Sequence, residues 1–265
     1  MKSFLLPVLF FLFVGAGCSN NDTEATTPSA TEPKTPVLSY TVTATYPHDT
    51  SSYTQGLEFL NGQLFEGTGN YGFSKLLQVD LKTGKSAKQL SLAPKLFGEG
   101  ITILHDTLYQ LTWKEKTVFA YEPKTFKKLT EYPLNTEGWG LTNDGKNLIA
   151  TDGSSNLYFY EPSTFRLLRT QGVTEVGSPA FNLNELEYIN GFIYANQYEY
   201  NYILKIDPSS GHVVAKLDLS ELVNRLRSKD PQIRELNGIA YDSTTKKIYI
   251  TGKWWPELYE VQFEH

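Results

Sequence analysis

The sequence predicts an all-β fold, a five-bladed β-propeller closed by an N-terminal strand. Three observations point there: five segments open alike, their spacing fits a four-stranded blade, and the chain ends one strand short. The openings are Gln55-Gly-Leu-Glu-Phe59, Glu99-Gly-Ile-Thr-Ile103, Trp139-Gly-Leu-Thr-Asn143, Asn184-Glu-Leu-Glu-Tyr188 and Asn237-Gly-Ile-Ala-Tyr241. Their first residues stand 44, 40, 45 and 53 positions apart, intervals that bracket a propeller blade. A β-sandwich would need this repetition to be accidental.

The first unit reads as four strands. Gly56–Leu60 meets an Asn61-Gly62 turn and returns as Gln63–Thr68; Asn-Gly accepts the positive φ angles of a tight hairpin whose twist matches its strands. Lys75–Asp80 alternates apolar and polar residues, and Lys82-Thr83-Gly84 turns into an outer strand near Lys85–Leu92. Units two and three replace that turn with Glu122–Phe126 and Glu161–Phe165. The fourth unit repeats the scheme with Asn190-Gly191 and a third strand over Tyr202–Asp207. Its long interval to the fifth unit holds Leu222, Val223 and Leu226 at helical spacing within Leu219–Asp230, so a short helical insertion is expected after blade four. The fifth unit has three strands, Gly238–Asp242, Lys246–Gly252 and Leu258–Phe263. Tyr40–Tyr46 supplies the fourth, pairing beside Leu258–Phe263 and covering an open edge.

The residues before the propeller carry a different pattern. Lys2, the apolar run Phe4–Val14 and the small residues Gly15-Ala16-Gly17 read as a signal peptide over 1–17. Cys18 follows directly, an arrangement that resembles the lipobox of bacterial lipoproteins, although Gly15 stands where Leu or Val is commoner. Cys18 is therefore the expected lipidation site, and the protein is expected to be exported and held to the cell envelope by a lipid anchor. The alternative is a secreted protein with an incidental cysteine. Residues 18–36 are rich in Thr, Asn, Glu and Pro and read as a flexible tether, with the propeller domain over 37–265. Cys18 is the only cysteine, so no internal disulfide is available. The net charge of -5 and the lack of basic runs argue against a nucleic-acid partner. His48, His105, His212 and His265 are scattered and suggest no zinc site.

Inner strands of a propeller line its central channel, so Gln55, Glu99, Trp139, Asn184 and Asn237 are expected to converge at one mouth. Taken alone, that ring reads equally well as satisfied polar filling. The surrounding residues resemble the plant and bacterial glutaminyl-peptide cyclotransferases: Tyr53-Thr-Gln-Gly-Leu57, Phe97-Gly-Glu-Gly-Ile-Thr102, Leu111-Thr-Trp-Lys-Glu115 and Glu137-Gly-Trp-Gly-Leu-Thr142, followed by Leu183-Asn-Glu-Leu-Glu-Tyr188, Leu236-Asn-Gly-Ile-Ala-Tyr241 and Thr251-Gly-Lys-Trp-Trp-Pro256. The resemblance runs through all five units in order. It implies a five-bladed propeller that converts N-terminal glutaminyl residues to pyroglutamyl with release of ammonia, without a catalytic metal or other cofactor. The implied partners are peptides or proteins with N-terminal Gln, and the protein is expected to be a monomer.

The reaction needs an amine to lose a proton and a departing nitrogen to gain one, and one carboxyl group can serve both steps. Glu99 is the only carboxylate among the five leading residues and matches the family's essential Glu. Its bland alternative is a carboxylate paired with Lys253. Gln55, Asn184 and Lys253 are candidates to bind the carboxamide, while Trp113 and Trp139 match family tryptophans of the pocket wall. Tyr198, in Ala195-Asn-Gln-Tyr198, stands where the family often has Trp. Two other classes stay open. A lactonase-like propeller would gather Glu99, Asn184 and Asn237 around calcium, but it lacks a second carboxylate in the ring. A non-catalytic binding module is compatible with the fold.

Overall fold

Two turn chemistries punctuate the chain, and they set the blades. Asn61-Gly62 (φ 51° and 77°) and Asn190-Gly191 (φ 49° and 91°) make the tight hairpins expected from their residue types, and His105-Asp106 does the same in blade two (φ 47° and 59°). At the later turns, Gly84 and Gly211 take positive φ in blades one and four. Phe126 and Phe165 hold that conformation in blades two and three (φ 60° and 53°), where their rings are buried in the core. The strain of an aromatic residue at positive φ is offset by packing such as the 4.4 Å stack of Phe165 on Tyr160.

The computed structural model describes residues Lys34–His265; the signal peptide, Cys18 and most of the tether read from the sequence lie outside them. Five four-stranded antiparallel blades follow one another. Blade one holds Thr54–Leu60, Gln63–Thr68, Lys75–Asp80 and Lys85–Ser91, from the channel outward. Blade two holds Gly98–Leu104, Thr107–Thr112, Thr117–Tyr121 and Lys128–Pro133. Blade three holds Leu141–Asn143, Leu148–Ala150, Asn156–Glu161 and Arg166–Gly172. Blade four holds Leu183–Ile189, Phe192–Gln197, Tyr202–Ile206 and Val213–Asp218. Blade five takes Leu236–Asp242, Lys247–Gly252 and Glu257–Phe263 from the C-terminus and Tyr40–Pro47 from the N-terminus. The closing pair runs from Tyr40 opposite Phe263 to Pro47 opposite Glu257, as the sequence required. A further contact was not foreseen: Val37–Leu38 lies parallel to the outer strand of blade four before the chain crosses to blade five.

Each seam between neighbouring blades holds its own apolar cluster. Truncating a fully buried seam residue such as Leu186 to Ala removes contacts worth about 2–5 kcal/mol. The helix Ser220–Lys229 buries Leu222, Val223 and Leu226 at the seam of blades four and five. Glu221 in its first turn and Arg227 and Lys229 in its last suit the helix dipole.

Candidate active site

An inner strand is a sheet edge, and its channel-facing N–H groups have no ladder partner. Side chains supply the acceptors. Glu185 accepts from Leu57 N of blade one (3.2 Å) and Ile239 N of blade five (2.9 Å). Glu187 accepts from Tyr241 N (2.8 Å), and Glu58 from Ile103 N (3.1 Å) and Thr102 Oγ1 (2.8 Å). The leading positions contain a single carboxylate, as read from the sequence, but the channel as a whole contains several. Burial drives the carboxyl groups of Glu185 and Glu187 well above the ordinary range and Glu58 up to about 7.

The inner strands meet almost backbone to backbone. A Cβ on Gly56 would lie 2.4 Å from Ile101 N, one on Gly100 2.5 Å from Leu141 N, and one on Gly140 1.9 Å from Asn184 O. Four of the five openings have glycine after the leading residue: this contact explains it in blades one to three, and Gly238 takes a positive φ of 122°. The exception is Glu185, and its departure from the repeat is the signal that could have marked it as a cross-channel bridge.

At the leading positions the inner strands of blades one, two, four and five slip register: between Thr54 and Gly56, Gly98 and Ile101, Leu183 and Leu186, and Leu236 and Ile239. Such bulges bend a strand and re-aim its side chains. Gln55, Glu99 and Asn184, with Trp139 from the connection into blade three, line one pocket of about 240 Å³, together with Tyr53, Phe97, Trp113, Tyr198 and Lys253. All seven pocket residues named from the sequence are thus brought together. Asn237 is not among them. Its amide donates to Thr54 O (2.9 Å) and Gln55 Oε1 (3.1 Å), so the expected convergence of five leading residues holds for four. That bond turns the Gln55 carbonyl toward Asn237 and leaves its NH₂ for the pocket. Tyr53 and Phe97 stand inside the motifs quoted above, but nothing in their pattern separates them from core aromatics.

The pocket walls are aromatic and mutually braced. Phe97 meets Trp113 edge-on at 5.4 Å, and Trp139 meets Tyr198 at 5.6 Å with planes 87° apart. Tyr198 therefore keeps an aromatic face where the family often has Trp. Lys253 lies over the rings of Tyr53 (4.8 Å) and Tyr198 (4.9 Å), and its ammonium forms no ion pair among the described residues. Burial lowers its pKa, with Glu99 and Glu235 acting in opposition. Glu99 is 4% exposed. Burial raises its pKa well above the usual carboxylate value; Lys253 opposes this, while Glu115 and Glu137 add to it. The result is a buried carboxyl group whose charged form is disfavoured, facing an unpaired cation across an aromatic cleft.

Fold and pocket together define a five-bladed propeller whose mouth holds a buried acid between aromatic walls. The family model described as glutamine cyclotransferase matches residues 13–263, and the chain belongs to that family. A glutaminyl-peptide cyclotransferase of Arabidopsis thaliana is 39% identical over 226 residues, which cover 84% of this chain and 71% of the relative. The crystal structure of Myxococcus xanthus glutaminyl cyclase matches with a TM-score of 0.80 and 35% identity, over 86% of this chain and 98% of that one.

Proposed function

We propose that this protein is a glutaminyl-peptide cyclotransferase, acting on peptides or proteins with N-terminal Gln, with Glu99 as its general acid and base and no metal in the chemical step. The observation that carries this reading is the desolvated Glu99 carboxyl in a pocket that also presents free donors. The glutaminyl side chain enters between Trp113 and Trp139, and its carboxamide carbon lies within reach of its own α-amine. The ionised form of Glu99 takes a proton as the amine attacks. The carboxamide oxygen gains charge in the tetrahedral intermediate, where the Gln55 NH₂ and the Lys253 ammonium can meet it. Asn184, whose Oδ1 has no partner among the described residues, receives an N–H of the substrate. Glu99 then returns its proton to the leaving nitrogen, which departs as ammonia while the five-membered lactam closes.

The attacking amine must be neutral, and a free α-amine has a pKa of about 7.7–8.0, so the rate climbs toward mildly alkaline pH. The deciding experiment compares ammonia release from a Gln-initiated peptide by wild type and Glu99→Gln, each shown folded by circular dichroism. The expected loss is about 10²–10⁴-fold. Near-equal rates would remove Glu99 from the mechanism, and no release by the wild type would favour a binding module. Activity that disappears on exhaustive chelation would overturn metal independence. The reading of residues 1–36 adds a second proposal, that the protein works as an exported lipoprotein anchored through Cys18.

A further inference from the structure

Two carboxylates at the pocket rim, Glu115 and Glu137, have no part in the chemistry above. Glu115 accepts from Phe97 N (3.2 Å) and from the Tyr71 hydroxyl (2.9 Å). Glu137 does something more specific. A single oxygen, Oε2, accepts from Trp113 Nε1 at 2.8 Å and from Trp139 Nε1 at 3.5 Å. These indoles come from different blades, Trp113 from the loop after the second strand of blade two and Trp139 from the connection into blade three. An indole N–H can only donate, so two of them converging on one point need an acceptor with two free lone pairs. Among the described residues, Glu137 has no lysine, arginine or histidine ion-pair partner. Its carboxylate is committed to the two tryptophans.

We propose that Glu137 is a positioning residue for glutaminyl substrates: by tying the two indoles to one oxygen, it fixes the distance and angle between the walls that clasp the Gln side chain. The assignment rests on the cyclotransferase reading. It separates two duties of one group. Holding the rings requires only an acceptor oxygen, which a glutamine at this position keeps. Acting on Glu99 requires the negative charge, which glutamine lacks. Glu99 is faced by Lys253 from blade five, Glu115 from blade two, Glu137 from the connection into blade three and Tyr53 from the connection into blade one. Removing one negative neighbour favours its ionised form.

The test uses Glu137→Ala and Glu137→Gln in the full chain, with KM, kcat and the pH profile of kcat/KM measured on a Gln-initiated peptide. Glu137→Ala frees both rings, and kcat/KM is expected to fall by roughly 10–10²-fold, the scale of an ångström misplacement, mostly through KM. Glu137→Gln is expected to restore KM to near wild type while moving the acid limb of the profile to lower pH. Near-ultraviolet circular dichroism gives a readout independent of turnover: the tryptophan signal should weaken in Glu137→Ala and persist in Glu137→Gln. An alanine variant with wild-type KM and tryptophan signal would overturn the proposal, as would a glutamine variant as impaired as alanine in both. If the wild type releases no ammonia, the functional reading fails by itself, and the dichroism still decides whether Glu137 orders the indoles.

Discussion

Gly140→Ala tests how closely the ring and the pocket are tied together. The added Cβ would lie 1.9 Å from Asn184 O, 2.7 Å from its carbonyl carbon and 2.9 Å from Glu185 Cα. All three are on the backbone of blade four, so no side chain can swing away. Ordinary contact begins near 3.4 Å, and one inner strand must therefore yield by ~1.5 Å. Overpacking of this kind costs about 1–3 kcal/mol, and a domain of this size loses roughly 2–4 °C of Tm per kcal/mol. The expected drop is thus about 2–12 °C. The strand that yields carries Asn184 into the pocket, and a displacement near 1 Å in a substrate-holding group costs about 10²-fold in rate. Calorimetry and ammonia release should therefore change together. Gly172→Ala is the control, because its nearest neighbour is Asn156 Oδ1 at 3.9 Å. If Gly140→Ala matched wild type in both Tm and turnover, the inference that backbone contact sets the pocket geometry would fail.

Deleting Tyr40–Tyr46 should open the edge at Glu257–Phe263 and lower Tm sharply, whereas removing residues 19–33 should leave it unchanged; equal melting of both truncations would contradict closure by this strand. The channel carboxyls predict a pH dependence. Burial raises Glu58 from 4.5 to about 7, so the folded chain holds this proton more tightly than the unfolded one. Its stabilising contribution is full below about 4.5 and is lost as pH rises through about 7. Tm measured from pH 4 to 8 should fall less steeply in Glu58→Gln than in wild type, and parallel curves would refute the assignment. Cys18→Ser should release the protein from the membrane fraction or block its processing, and identical fractionation and mass would exclude lipidation.

The ring, its closing strand and the helix were legible because each leaves a pattern in sequence: repeated openings, a missing fourth strand, and Leu222, Val223 and Leu226 on one helical face. The pocket was legible in part for the same reason, since Gln55, Glu99, Trp139 and Asn184 share one position in their repeats. What the repeat could not show is direction. Asn237 occupies the same position, yet its NH₂ donates to Thr54 O and Gln55 Oε1 and it does not line the pocket; only the packed geometry of blades one and five decides that. Glu115 and Glu137 sit beside recognised motif residues, but an acidic residue in a loop looks solvated until its acceptor duties are seen. Val37–Leu38 is too short for any periodicity to declare it a strand. Glu185 stands in the one opening without glycine, but that departure alone does not say which backbone N–H groups its carboxyl serves.

The closing strand also dictates an order of events during synthesis. Thr43 hydrogen-bonds to Glu260 (2.9 Å), a partner 217 residues further along the chain. At ordinary elongation rates the early strand waits roughly 10–40 s for the residues it will pair with. Four blades can assemble from local hairpins in that interval, each using contacts already made. The last one cannot, because its first strand is made 217 residues ahead of the partner it pairs with. Loop closure over so long a span is slow. The nascent chain therefore passes through a stage in which an apolar-faced strand has no neighbour. Tyr40–Pro47 must be kept from pairing elsewhere until Phe263 has been made.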